Sequence, residues 1–464
     1  MKFKQVFVLA MSLLLLVPSF AMAADHENEE QDGSEHEGEH TDVATPAGDL
    51  RAELDYLFSE HAYLAIVVMQ KGIDESEDFE STVNALDANT EDLTEAITDV
   101  YGEEAGQTFH EMWSDHIGFF VNYVEATAED DEEGRQEALN HLEQYRDDFS
   151  AFLSEATEGD LPEDELAEGL QMHVDDLIEA FDHYVEGDYE TAYQSVRDAY
   201  IHMFDVSENL SRAITEQFPE DFEHTTVDTP AVELRSELNH VFSEHAALAI
   251  LTMQKGIDGA EDFDTAAWAL DENTADLTAA VESVYGPEAG AAFQEMWDEH
   301  IGFFVDYVNA TAEDDEQGRE EALNHLENYR DDFSAFLSEA TEGNLPQEDL
   351  ANGLQAHVDQ LIGAFDAYVE GDFETTYDQV REGIHHMYMP AEGLSAAIVA
   401  QFPEDFAGEE MHEDGETMPD EMPQTGMGGA ASGDSGTAMI WITLGALLAV
   451  TAGFFVRHRL GKEQ

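Results

Sequence analysis

The chain has 464 residues, 107 Asp and Glu against 16 Lys and Arg, a formal net charge of −91, and no cysteine. So few cations exclude nucleic acid, whose phosphates need Lys and Arg, and leave cations as the expected partners. The absence of cysteine excludes disulfide stapling and thiolate chemistry, while 43% hydrophobic residues is more than a disordered acidic chain carries.

Residues 1–24 read as a signal peptide. Lys2 and Lys4 precede an apolar run from Val6 to Val17, and Ala21-Met22-Ala23 supplies small residues for cleavage after Ala23 or Ala24. Residues 25–48 are acidic and lack apolar periodicity, which predicts a disordered tail.

Residues 49–222 and 231–406 are two copies of one domain, joined by a hinge at 223–230. LRAELDYLFSEHAYLAIVVMQKGID at Leu50–Asp74 returns as LRSELNHVFSEHAALAILTMQKGID at Leu234–Asp258, and EMWSDHIGFFV at Glu111–Val121 returns as EMWDEHIGFFV at Glu295–Val305. The offset is constant and far longer than the roughly 20–50 residues of a solenoid repeat, so a whole domain is duplicated. Apolar residues recur at three and four, which predicts an all-α fold. Six helices are expected in the first copy, near Asp49–Lys71, Asp78–Tyr101, Glu104–Ala128, Asp131–Ala156, Glu163–Glu186 and Tyr189–Gln217. Short joints make consecutive helices antiparallel neighbours, so each copy is predicted to be a compact helical bundle.

Histidines lie on the apolar stripes. His61 falls among Leu54, Leu57, Leu64 and Val68, His116 among Trp113, Phe120 and Tyr123, and His173 among Leu170, Leu177 and Phe181. Their second-copy equivalents are His245, His300 and His357. His141 and His202, with His325 and His386, lie at stripe edges. A buried imidazole without partners is costly, and several together suit Zn, Cu or Fe. Met69, Met112 and Met203 would add soft donors for Cu(I), and a haem with one axial histidine is the other form such a site takes. Ordinary core histidines bonded to neighbours are the plain alternative. The Glu-x-x-His pairs of ferritin-like di-iron bundles do not occur on these stripes.

Arg51, Lys71, Arg135, Arg146 and Arg197 recur as Arg235, Lys255, Arg319, Arg330 and Arg381. In so acidic a chain they read as fixed ion-pair pins. No nucleophile triad, phosphate loop or HExxH is present, so a non-enzymatic protein is expected; a metal-dependent enzyme is the third reading.

Residues 407–421 form a second acidic tether. Met422-Pro423-Gln424-Thr425-Gly426 follows, then a Gly/Ser spacer, an apolar run over 437–456, and Arg457-His458-Arg459. This order at 422–464 resembles the sorting signal of sortase-anchored Gram-positive wall proteins, with Met for the usual Leu of LPxTG. The resemblance implies cleavage between Thr425 and Gly426 by sortase and attachment of Thr425 to peptidoglycan. The apolar run then holds the precursor in the membrane as a transmembrane helix, and the basic end stops it on the inside. The protein would be secreted and wall-anchored, or membrane-held if the signal is not used.

The segments SEHAxLA, ALDxNTxDLTxAxxxVYG (Ala85–Gly102) and AFDxYVxGDYxxAY (Ala180–Tyr193) resemble helical domains of secreted Bacillota proteins. Some of those also carry a module similar to the copper amine oxidase N-terminal domain, which this sequence lacks. The resemblance implies an exported all-helical protein and adds no catalytic residue. The leading expectation is a wall-anchored acidic surface protein with a binding or surface-conditioning role. Metal or haem binding by the core histidines is the alternative.

Overall fold

The same local chemistry opens both copies. Thr45 accepts a hydrogen bond from the Gly48 amide and Pro46 occupies the first turn, where a missing N–H costs nothing, so α1 runs Pro46–Ile73. Thr229 and Pro230 do the same for α7, Pro230–Asp258. The repeat unit therefore starts earlier than residues 49 and 231, at the V-x-T-P of Val43–Pro46 and Val227–Pro230.

The computed structural model describes residues 42–407. The expected signal peptide, both tethers in large part, the sorting signal and the apolar run 437–456 lie outside the described residues. Among those described there are thirteen helices and no strand, and no helix long and apolar enough to cross a membrane. The fold is all-α.

After α1 the first copy continues with α2 (Phe79–Tyr101), α3 (Glu103–Ala128), α4 (Glu132–Ala156), α5 (Glu163–Glu186) and α6 (Tyr189–Gln217). The second copy repeats the order with α8 (Phe263–Tyr285), α9 (Pro287–Ala312), α10 (Glu316–Ala340) and α11 (Gln347–Glu370). Gly187 and Gly371 end α5 and α11 in the left-handed conformation, with φ of 76° and 78°, where a side chain would be strained. The copies then differ. The single helix α6 is replaced by α12 (Phe373–His386) and α13 (Tyr388–Gln401), broken at Met387. Pro390 stands where the first copy has Val206, and it has no N–H for the His386 carbonyl one turn back.

α1 and α7 are the central helices. Residues 57–71 and 238–255 are buried without interruption, as expected for helices apolar on every side. They carry the contact between the copies, which are not independent bundles on a hinge. One apolar cluster draws on both, joining Leu64, Val68 and Leu177 to Leu248, Ile250 and Leu361.

The polar contacts of this seam come in reciprocal pairs, the mark of a two-fold-related interface. Arg197 binds Glu244 at 3.0 Å and Arg381 binds Glu60 at 3.0 Å. The Tyr193 hydroxyl donates to Asp262 at 2.8 Å, and that of Tyr377 to Asp78 at 2.7 Å. Lys255 donates to the Tyr184 hydroxyl at 2.9 Å, and Lys71 to that of Tyr368 at 3.1 Å. The stretch expected to be a hinge is part of the seam: Val227 is fully buried, Thr225 accepts from the Ala47 amide, and Arg51 reaches the Val227 carbonyl. Three of the five basic residues that recur in both copies thus pin one copy to the other.

Candidate metal centre

Three helices of each bundle deliver one histidine apiece to its interior. In the first copy α1 supplies His61, α3 His116 and α5 His173, at 1%, 2% and 6% exposure. The imidazole of His61 lies 5.4 Å from that of His116 and 5.9 Å from that of His173, centre to centre. One ring nitrogen from each lies within 4.8 Å of the other two. His245, His300 and His357 repeat the ring placement in the second copy, with ring separations of 5.4 and 5.9 Å, but among the described residues the approach of three nitrogens to within 4.8 Å is found in the first copy alone.

Around the cluster there is little to hydrogen-bond with. Trp113 lies 4.7 Å from both His61 and His116, and Tyr145 stacks on His116 at 4.7 Å and 15°. Both nitrogens of His61 and Nδ1 of His173 have no partner, and His116 Nδ1 leans toward the Trp113 carbonyl without closing a hydrogen bond. Buried polar atoms are satisfied in the great majority of cases, so three adjacent rings with free nitrogens are an exception that calls for a cause.

Burial pushes all six imidazoles far below their usual range, with mutual repulsion adding to it for most; His116, His300 and His357 fall to about 3. Each is neutral at physiological pH and presents a lone pair, which is the form a metal needs. A tetrahedral ion bound at about 2.0–2.1 Å holds its nitrogens about 3.3 Å apart, so from separations of up to 4.8 Å the three rings need to close by up to about 1.5 Å.

A cavity of about 170 Å³ leads to the cluster from the surface. His116 and His173 form its floor, Phe109, Trp113 and Phe149 line its walls, and Glu165, Asp205 and Asn209 lie at its rim. Behind the rings, His61, His116 and Met69 line a second space of about 10 Å³. The larger cavity falls below the roughly 300–1,000 Å³ of drug-sized pockets and is near the 150 Å³ that admits a benzene. It suits an ion or a small molecule and is too small for a haem.

The stripe-edge histidines behave differently. His202 lines the cavity, but its Nε2 is 3.1 Å from the Gly169 carbonyl; His386 makes the equivalent contact at 2.9 Å. His141 and His325, expected as weaker ligands, are exposed and rest on Phe119 and Phe303, apart from either cluster. They are on the outer face of α4 and α10 because the apolar stripe of those helices runs through Ala138, Leu142 and Tyr145 instead.

The aromatic cage and the rim residues were not singled out as site residues by sequence reasoning. The signal for the cage was Trp113 and Tyr145 falling on the same stripes as the histidines; nothing local marks the rim. No protein-family model matches the chain, and neither a curated protein nor a solved structure does.

Proposed function

We propose that this protein is an exported, wall-anchored, acid-clad surface protein whose two helical copies each bind a copper ion through three buried histidines. The observation that carries the metal reading is the convergence of His61, His116 and His173, with nitrogens within 4.8 Å and no other partner for them.

The choice of metal follows from charge. The three donors are neutral, and no carboxylate belongs to the cluster. A divalent ion would bring two uncompensated charges into an aromatic interior, and the desolvation cost of an ion rises with the square of its charge. Monovalent copper costs least, and trigonal imidazole ligation with a thioether such as Met69 nearby suits it. Non-haem iron sites use a carboxylate beside two histidines, which this cluster lacks.

Export and anchoring rest on the order of sequence elements: basic start, apolar run and small-residue site at one end, and Met422–Gly426, apolar run and basic residues at the other. An acidic coat concentrates cations near the surface, so the coat and the clusters act in one direction.

Titration of the full-length chain with Cu(I) against a competing chelator tests the metal reading. Two ions per chain are expected, one per copy, and His61→Phe with His245→Phe should abolish both. A chain that binds Zn(II) tightly and Cu(I) weakly would replace copper by zinc; binding of neither removes the metal reading. Replacing Thr425 by Ala should release the protein from peptidoglycan, and unchanged linkage would overturn the anchoring.

A further inference from the structure

The two clusters share their ligands but not their surroundings. In the first copy the wall of the cavity is the unbroken helix α6, which places Asp205, Val206 and Asn209 along the opening. The equivalent residues of the second copy are Met389, Pro390 and Gly393. The exposed carboxylate and amide of the rim are thus replaced by a thioether and by no side chain at all.

The consequence is seen in the packing. Leu345 lies against the bare backbone of Gly393, so close that an added Cβ would sit 3.3 Å from its Cδ1. Asn209 carries that Cβ in the first copy, beside the equivalent Leu161. Leu337 and Leu350 are buried in the second copy, whereas their equivalents Leu153 and Leu166 remain half-exposed along the cavity. The break at Met387 lies in this wall, where these leucines are packed more closely than their first-copy equivalents.

We propose, resting on the copper reading above, that the cavity of the first copy is the path by which the ion enters and leaves, and that the second copy has closed the same path, so the chain carries one exchangeable ion and one trapped ion. Glu165 and Asp205 at the rim attract the cation from solvent. His202, part-way down the same wall, offers an imidazole between the rim and the floor. His173 and His116 receive the ion, and His61 completes its coordination from behind. In the second copy an ion reaches its cluster only when the wall opens by local unfolding, which is slower than diffusion along a standing cavity.

The test is the release of Cu(I) from the doubly loaded full-length chain to excess bathocuproine disulfonate. Salt of about 1 M reduces the screening length to about 3 Å, so the acidic coat does not repel the anionic chelator. Two phases of one ion each are expected, separated by about tenfold or more, equivalent to about 1.4 kcal/mol or more of opening cost. The fast phase should vanish in His116→Phe and the slow one in His300→Phe. Transplanting the closed wall, Asp205→Met with Val206→Pro and Asn209→Gly, should slow the fast phase toward the slow one. The opposite change, Pro390→Val with Gly393→Asn, should speed the slow phase without touching a ligand. Release of both ions at one rate, or wall transplants that leave the rates unchanged, would overturn the inference while leaving two bound coppers intact. A chain that binds no copper overturns the reading beneath it.

Discussion

The molecule buries polar groups in two places and treats them in opposite ways. Along the seam between the copies, Glu60 is held by Arg381, Asn89 and Tyr56, and Glu244 by Arg197 and Asn273. Asp78 and Asp262 each receive a lysine at 2.8 Å and a tyrosine hydroxyl. A few ångströms away the histidine clusters have aromatic neighbours and free nitrogens. The comparison separates two uses of buried polarity. The paired groups fix how one copy sits on the other, since burying them in any other register would strand charges. The unpaired groups add nothing to the stability of the empty fold, so their placement is explained by a guest.

That contrast is broken most sharply at the seam. Arg381→Ala leaves the carboxylate of Glu60, at 0% exposure, without its cation, and should destabilise by about 3–5 kcal/mol. Arg330 pairs with Asp331 at the surface, so Arg330→Ala should cost under about 1 kcal/mol. Chemical denaturation of both variants checks the pair. Equal losses would mean that the seam is not what holds the copies together.

Copper should act on the clusters with comparable size. At free ion about 1,000 times the dissociation constant, each occupied site adds about 4 kcal/mol, visible as a raised melting temperature. Without copper, replacing His61 by Phe should leave stability unchanged or raise it, because a buried group with no partner is removed. A metal-free chain much weakened by His61→Phe would assign these rings to structure.

How much of this was legible beforehand depends on the range of the interaction. The helices and their histidine stripes are local patterns at three and four, and the helix ends fall within a few residues of expectation because Gly102, Gly187 and the acidic starts mark them. The break at Met387 was also written in the chain, as Pro390, but the likeness of the two copies concealed it. The seam was not legible. Arg197 meets Glu244 and Arg381 meets Glu60 across long stretches of chain, and no spacing along one helix encodes that. The rim of the cavity was hidden for the same reason, since Asp205 and Glu165 belong to different helices that only packing brings to one opening.

Acid and alkali should test the two regions separately in the metal-free chain. The cluster imidazoles are held below their usual value, His116, His300 and His357 at about 3. The unfolded chain therefore binds more protons between about pH 6.5 and 3. Their contribution is complete above that window and is lost as pH falls through it, by up to about 1.4 kcal/mol per pH unit for each ring. The carboxyls have the reverse sign. Burial raises Asp55 to about 6, and burial with the charge of Glu233 raises Glu237 to about 7. Their contribution is complete below the ordinary carboxyl range and is lost as pH rises through 6 and 7. Melting curves across pH should thus lose their acid limb when the cluster histidines are replaced and keep their alkaline one.

The smallest effect belongs to the centre of the seam, where the copies meet residue against equivalent residue. Asp55 accepts from Ser207, Ser236 and Asn239, and Asn239 is its own counterpart in the second copy, 3.4 Å away. Neither serine has a serine as its counterpart in the other copy: the equivalents are Ala391 and Ala52. A symmetric pair of aspartates at this point would place two buried like charges together, which is costly. One acid facing one amide avoids that, and only a covalently joined pair of copies can keep the two residues different. Asn239 Oδ1 is left without a partner, so Asp55→Asn supplies a donor for it while keeping an acceptor for the serines. The expected change near pH 7 is within about 1 kcal/mol, together with loss of the pH dependence that runs from the ordinary carboxyl range up to about 6. A loss of several kcal/mol would mean that the charge of Asp55, through the nearby Arg51, is itself required to hold the two copies together.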